Sequence, residues 1–251
     1  MACYSNVLRD VIEREKAGKD YPASDRPILL DMLREINRLK GTSYSYLAEI
    51  DTFDITGAGP IMEKYVRDFT SEGIRAYLVP HMVSDRIRDC DQLILELYLH
   101  FRESDSYVKP VGQPDSAYIY VRYDNAFRSL KPKRLKRELL ELVSHPLDAY
   151  YLPFTVRMVS SWKIPEMEDI LLHYAEPDDF EEQDLGVIGE SDRIPARMEW
   201  RKRQLMFTAI HGLRYYPSER SEQILHQFLA SQDRDFQVAA KKTLDYMEKR
   251  K

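Results

Sequence analysis

Glu138 and Glu141, like Glu166 and Asp169, stand three residues apart in sequence of helical character, so each pair of carboxylates shares one helical face. Two carboxylates held together can perform general acid–base catalysis, one protonated and the other ionised. With 42 Asp and Glu in 251 residues such pairs also arise by chance, and no pocket-forming motif accompanies these. Metal chemistry has as little footing. His81, His100, His145, His173, His211 and His226 contain no i, i+4 pair, so no helix offers two imidazoles to one ion. Gly57-Ala-Gly59 has the spacing that opens a dinucleotide fingerprint, but Met62 takes the third glycine position and Pro60 removes an N–H that a phosphate needs. It reads as the start of a helix. P-loop, His-Glu-x-x-His and Gly-x-Ser-x-Gly sequences are absent. These observations assign no catalytic, metal-binding or cofactor-binding residue, call for no cofactor, and favour a non-enzymatic role.

Charge patterning says more. Between Glu176 and Asp192 stand eight acids (Glu176, Asp178, Asp179, Glu181, Glu182, Asp184, Glu190 and Asp192) and no base. Like charges discourage such a run from folding on itself, and insertions of this length are either functional or unstructured. Asp178, Asp179, Glu181, Glu182 and Asp184 are candidates for steering a basic protein partner by long-range attraction. Two basic clusters stand against them. One is Lys131, Lys133, Arg134, Lys136 and Arg137, beside the aromatic run Tyr118–Tyr123; the other is Arg197, Arg201, Lys202 and Arg203 around Trp200. Basic stripes with aromatics can follow a phosphate backbone and stack bases. The same cations can instead answer the acidic run within the molecule. A net charge of −5 argues against nucleic acid as the partner, since nucleic-acid-binding domains are usually net basic.

Composition bounds the setting. The chain is 43% hydrophobic and 31% charged, as expected of a globular protein, and its nine glycines are too few for a strand-and-turn fold. Cys3 and Cys90 are far apart and read as reduced thiols. Arg9, Asp10 and Glu13 in the first turns do not suit a signal peptide, and no apolar run approaches the roughly 20 residues of a membrane span. A cytoplasmic protein with no membrane partner is expected. Tyrosine is abundant, and Tyr98, Tyr174, Tyr215 and Tyr216 are candidate contact residues because tyrosine combines a large contact area with a polar handle. The same positions also suit a core.

The elements that must carry these groups are helices. Val7, Leu8, Val11 and Ile12 form one apolar stripe; Ile28, Leu29, Met32, Leu33, Ile36 and Leu39 form another, with Ser24 as its expected cap and Gly41 as its stop. Pro60 opens a helix carrying Ile61, Tyr65, Val66 and Phe69. Beyond it a rhythm sets in. Met82-Val83-Ser84 returns as Met158-Val159-Ser160, and ten residues beyond each serine stands Ile-Leu-x-x-Tyr, at Ile94 and at Ile170. Phe127 and Ser129 lead to Leu139-Leu140-x-x-Val143, and Leu213 to Ile224-Leu225-x-x-Phe228. The anchors at 94, 139, 170 and 224 are about 43 residues apart on average, the period of paired-helix repeats. Asp148, Asp179 and Asp233 follow three of the anchors at one fixed distance and are expected to cap the next helix.

The stretch Leu229–Leu244, with its aspartate turn at Asp233 followed by Val238-Ala239-Ala240, is similar to the join of HEAT/armadillo-type helical repeats. The similarity spans roughly 60–250 and is strongest over 220–246. It implies an all-α fold, a right-handed α–α superhelix in which a solenoid of HEAT-like helix pairs exposes a concave face of successive second helices. The expected organisation is one helical-repeat domain over 1–251: capping helices in 1–56, repeats in 57–175, an acidic insertion at 176–193, and further repeats in 194–251. The resemblance implies a protein-binding module or inhibitor, a bacterial immunity-type protein against a basic nuclease-like toxin being one instance. The alternative is a HEAT-like nucleic-acid-binding or DNA-repair protein with a basic concave groove. Some DNA-repair glycosylases are built this way, and the chain resembles them in size and architecture alone.

Overall fold

A computed structural model of the chain describes Glu13 and residues 22–52, 54–104, 114–186 and 194–250. These residues form twelve α-helices joined by short turns and contain no strand, so the fold is all-α. No described helix is long and apolar enough to cross a membrane. The stripe at 7–12, Cys3, Glu190 and Asp192 lie outside the described residues. The chain divides into two compact units, an N-terminal one reaching to Leu130 and a C-terminal one beginning at Lys131.

In the N-terminal unit, α1 (Asp25–Lys40) buries Leu29, Met32, Leu33 and Ile36 and stops at Gly41 in the left-handed conformation. Leu39 stays exposed, and Ser24 makes no side-chain cap. Asp25, fully buried, works at a distance instead: its carboxylate accepts from the backbone N–H groups of Thr70 (2.9 Å) and Ser71 (2.8 Å) and from the Thr70 hydroxyl (2.7 Å). It thereby ties the start of α3 (Glu72–Ser84) to the start of α1. Between them, α2 (Gly59–Val66) opens with Pro60 in its first turn. The N–H groups of Gly57 and Gly59 are taken by the Asp85 carboxylate at 2.9 and 2.6 Å, so this glycine pair is a helix start. A Cβ at Gly59 would lie 2.7 Å from that of Asp85, which is why glycine stands there. Helix α3 packs on α4 (Cys90–Glu103) and on α5 (Pro114–Leu130).

The C-terminal unit begins with the short helices α6 (Lys136–Val143), α7 (Pro146–Tyr151) and α8 (Pro153–Ser160), followed by α9 (Pro165–Ala175). Proline opens α7, α8 and α9, where its missing N–H costs nothing. Helix α10 (Ile194–Leu213) runs against α7, α8 and α9, and α11 (Glu219–Leu229) and α12 (Arg234–Glu248) complete the unit. Asp233 caps α12, accepting from the N–H of Asp235 and of Phe236. The two other aspartates of that pattern do not cap: Asp148 is buried inside α7, and Asp179 ends a 3-10 turn.

The Met-Val-Ser echo marks helix ends, for α3 stops at Ser84 and α8 at Ser160. Its side chains are not equivalent. Met82 is buried and Met158 half-exposed; Ser84 faces solvent, whereas Ser160 is buried and donates to the Val156 carbonyl at 2.7 Å. What the copies share is backbone. Arg86, Lys131 and Lys163, each two or three residues beyond the repeated serine position, adopt positive φ of 50, 48 and 56°. The left-handed conformation costs an L-residue about 1–2 kcal/mol. Lys163→Gly is therefore expected to stabilise the protein by about 1 kcal/mol, read as a higher urea midpoint at unchanged m-value; a lower midpoint would refute it.

Candidate functional site

The acidic run is anchored from 176 to 186. Pro177, Phe180 and Leu185 are buried, while Glu176, Asp178, Asp179, Glu181, Glu182 and Asp184 are exposed between them. Phe180 sets its ring against His173 and Tyr174 on α9, with centroids 4.6 and 6.0 Å away. Asp184 accepts from the Glu181 N–H at 2.9 Å, closing a tight turn. Gly186 then takes φ +62°, and a Cβ there would meet Leu147 at 2.9 Å, so only glycine fits without displacement.

Cations on α10 hold this strap by its carbonyl oxygens. The Arg201 guanidinium, 5% exposed, donates to the Leu185 carbonyl and to the Tyr151 hydroxyl, and lies 4.9 Å from the Tyr150 ring centroid. The Lys202 ammonium reaches the Asp178 carbonyl at 3.5 Å. Each bond spends a positive charge on a backbone dipole and leaves the neighbouring carboxylates to solvent. Among the described residues, Glu176, Asp178, Asp179, Glu181, Glu182 and Asp184 make no ion pair.

Alongside the strap opens a cleft of about 1200 Å³ between α9, α10 and the ends of α11 and α12. Glu199, Lys202, Arg203 and Met206 line it from α10, at the i, i+3, i+4, i+7 spacing of one helical face. Trp200, 54% exposed and edge-on to Tyr150, lies at its side, with Leu172 and Phe236 providing further apolar wall. Two of its cations are neutralised: Arg203 by Asp233 (2.8 Å) and Asp235 (3.0 Å), and Arg220 by Asp169 (2.8 Å). Glu176, Asp178, Asp179 and Glu199 then face a single uncompensated ammonium, that of Lys202. The cleft is a negative, partly apolar surface with an exposed indole, suited to a positively charged chain whose stems pack on Trp200 while their heads meet carboxylates.

The other sequence candidates fall elsewhere. Tyr98 and Tyr174, read as possible contact residues, are fully buried and unavailable to a partner. Tyr98 makes edge contacts with Phe101, Tyr123 and Phe127, and the Tyr174 hydroxyl donates to the Val143 carbonyl at 2.6 Å. Tyr216 is also buried and donates to the Ile164 carbonyl at 3.1 Å; burial, then the Glu168 and Glu166 charges, pushes its phenol well above the ordinary range. Tyr215 is half-buried under Arg214. Lys131, Lys133, Arg134, Lys136 and Arg137 are exposed around the start of α6, Arg137 pairing with Glu166 at 3.1 Å. Arg197 is half-buried, and Arg201 and Arg203 are committed internally, so the second basic cluster is not a free patch. Sequence reasoning missed the α10 face, although its spacing is visible once the helix is phased on Leu205, Ala209 and Leu213.

Of the carboxylate pairs, Glu166 and Asp169 are each bound by an arginine, and Glu138 and Glu141 are exposed. No cluster of potential metal ligands occurs among the described residues. The chain matches no protein-family model, and neither a curated protein nor a solved structure shows significant similarity to it.

Proposed function

We propose that the protein is a non-catalytic protein-binding module, or inhibitor, that takes a basic segment of its partner into the cleft beside the acidic strap. The observation that carries this reading is that Arg201 and Lys202 hold the strap through carbonyls, so its carboxylates stand ordered, exposed and unpaired beside Trp200. Charge in that arrangement accelerates association and selects partners of opposite sign. An immunity-type protein covering the basic, nucleic-acid-binding surface of a toxin is the instance that fits this chemistry. HEAT-like pairing of helices within each unit belongs to the same proposal; the left-handed basic residue after three of the first helices and the Asp233 cap support it. The nucleic-acid alternative loses Arg201 and Arg203, both already engaged.

Trp200 provides the assay. In a Trp162→Phe background, a short Arg/Lys-rich peptide should shift the Trp200 fluorescence and bind several-fold more weakly as salt rises, because exposed charges are screened beyond about 10 Å at 0.1 M. Reversing Asp178, Asp179 and Glu199 together to lysine should weaken binding by at least about tenfold. Preference for an acidic peptide or an oligonucleotide, or unchanged affinity in the triple variant, would overturn the proposal.

A further inference from the structure

Helix α9 carries opposite charges beyond its two ends. Glu166, Asp169, His173 and Glu176 follow one another at three and four residues, so they form a single exposed stripe along it. At its start the stripe is tied to the basic turn at 131–137, because Glu166 accepts from Arg137 at 3.1 Å. One turn on, Asp169 pairs with Arg220 at 2.8 Å, and from there the stripe forms a wall of the cleft. At its end Glu176 leads into the acidic strap. The basic turn and the acidic strap thus lie on one continuous surface of the C-terminal unit, with the cleft reaching from the middle of the stripe to the strap.

Neither end is answered within the molecule. Lys131, Lys133 and Lys136 are exposed and, among the described residues, make no ion pair, which is equally true of the strap carboxylates. At 1.5 Å per residue, Glu166 and Glu176 stand about 15 Å apart along the helix, whereas exposed charges are screened beyond about 8 Å at physiological ionic strength. The two ends are therefore too far apart to neutralise each other in one molecule. A surface that is positive at one end and negative at the other is complementary to its own copy turned by half a rotation. Set antiparallel about a two-fold axis through the stripe, two copies place each basic turn on the other's strap, and both contacts form together. Trp200, 54% exposed at the side of the cleft, offers apolar surface to the stems of the incoming lysines.

We propose that the protein pairs with a second copy of itself along α9, the basic turn of each copy lying on the acidic strap of the other, so that the free protein keeps its clefts covered. This pairing rests on the reading of the cleft as a site for basic segments, and it names the segment that fills the cleft until another partner displaces it.

The test uses the whole protein. Sedimentation velocity should show a dimer at about 50 mM salt that dissociates as salt is raised to about 500 mM. Lys133→Glu with Lys136→Glu, or Asp178→Lys with Asp179→Lys, should each weaken dimerisation by at least about tenfold. A glutamate at 136 stands in the first turn of α6, where negative charge favours the helix, so the loss is not one of folding. All four substitutions in one chain should restore the dimer, and so should mixing the two double variants, because opposite charges then meet again. In the Trp162→Phe background the turn-reversed variant keeps its strap, and it should bind the Arg/Lys-rich peptide several-fold more tightly because no second copy competes. A wild-type protein that is monomeric at low salt, a dimer unmoved by either reversal, or oligomers that grow beyond the dimer would overturn the pairing and leave peptide binding standing. A charge-sensitive dimer that ignores the peptide would support the pairing and overturn the protein-binding reading instead.

Discussion

Replacing Tyr98 by alanine is expected to destabilise the N-terminal unit by about 3–5 kcal/mol, the cost of removing a fully buried aromatic ring from a tight core. The ring lies edge-on to Tyr123 at 5.4 Å, to Phe127 at 6.1 Å and to Phe101 at 6.2 Å. All three neighbours are buried, and they join α4 to α5. Edge-to-face pairs add about 0.5–1.5 kcal/mol each beyond the area they remove from water. Since a whole domain is stable by only about 5–15 kcal/mol, the variant should lose most of its margin. Hydrogen exchange should show protection lost first in α3, α4 and α5. A contact residue would behave otherwise, with binding reduced and the urea midpoint unchanged, and that outcome would restore Tyr98 as a surface residue.

The second large effect is expected at Arg201. Arg201→Ala removes a buried charged hydrogen bond to the Leu185 carbonyl, a further bond to Tyr151 and the stacking on Tyr150 and Tyr151. A hydrogen bond to a charged group contributes about 1.5–3 kcal/mol and a partly desolvated cation–π contact about 0.5–2. The variant should therefore lose about 2–4 kcal/mol. It should also free the strap at 176–186, which limited proteolysis would detect as new cleavage there. Arg201→Lys should not rescue it, because a point ammonium cannot span two acceptors while stacking on a ring. A variant with wild-type stability and an intact strap would mean that Pro177, Phe180 and Leu185 hold the segment unaided.

The helices were legible because their signal is periodic and local. Leu29, Met32, Leu33 and Ile36 recur at 3 and 4, and all four are buried; Gly41 stops the helix as its type requires. The Ser24 cap was not legible, because any serine before an apolar stripe looks like one. In the structure Ser24 makes no side-chain cap, and the next residue, Asp25, accepts from the N–H groups of Thr70 and Ser71 before α3, 45 residues or more away in sequence. Tyrosine was ambiguous for a related reason: Tyr98 and Tyr174 have the composition of a contact surface and the spacing of a core, and only their neighbours decide between the two. Net charge hid a further division. The chain is acidic as a whole, yet Arg214 and Arg250, 36 residues apart in sequence, both stand over the ring of Tyr246, just past the ends of α10 and α12.

Sequence by itself determined that this protein is helical, where a few of its helices stop, as at Gly41 and Ser160, and that one segment concentrates negative charge. Those properties follow from residue type and spacing along the chain. Tertiary structure decided what the charge is free to do. Arg201 and Lys202 had every appearance of neutralising the acidic run, and they do contact it, but at its carbonyls. The reason is steric. Pro177, Phe180 and Leu185 turn the backbone of the strap toward the core, so its peptide oxygens face α10 and its carboxylates face water.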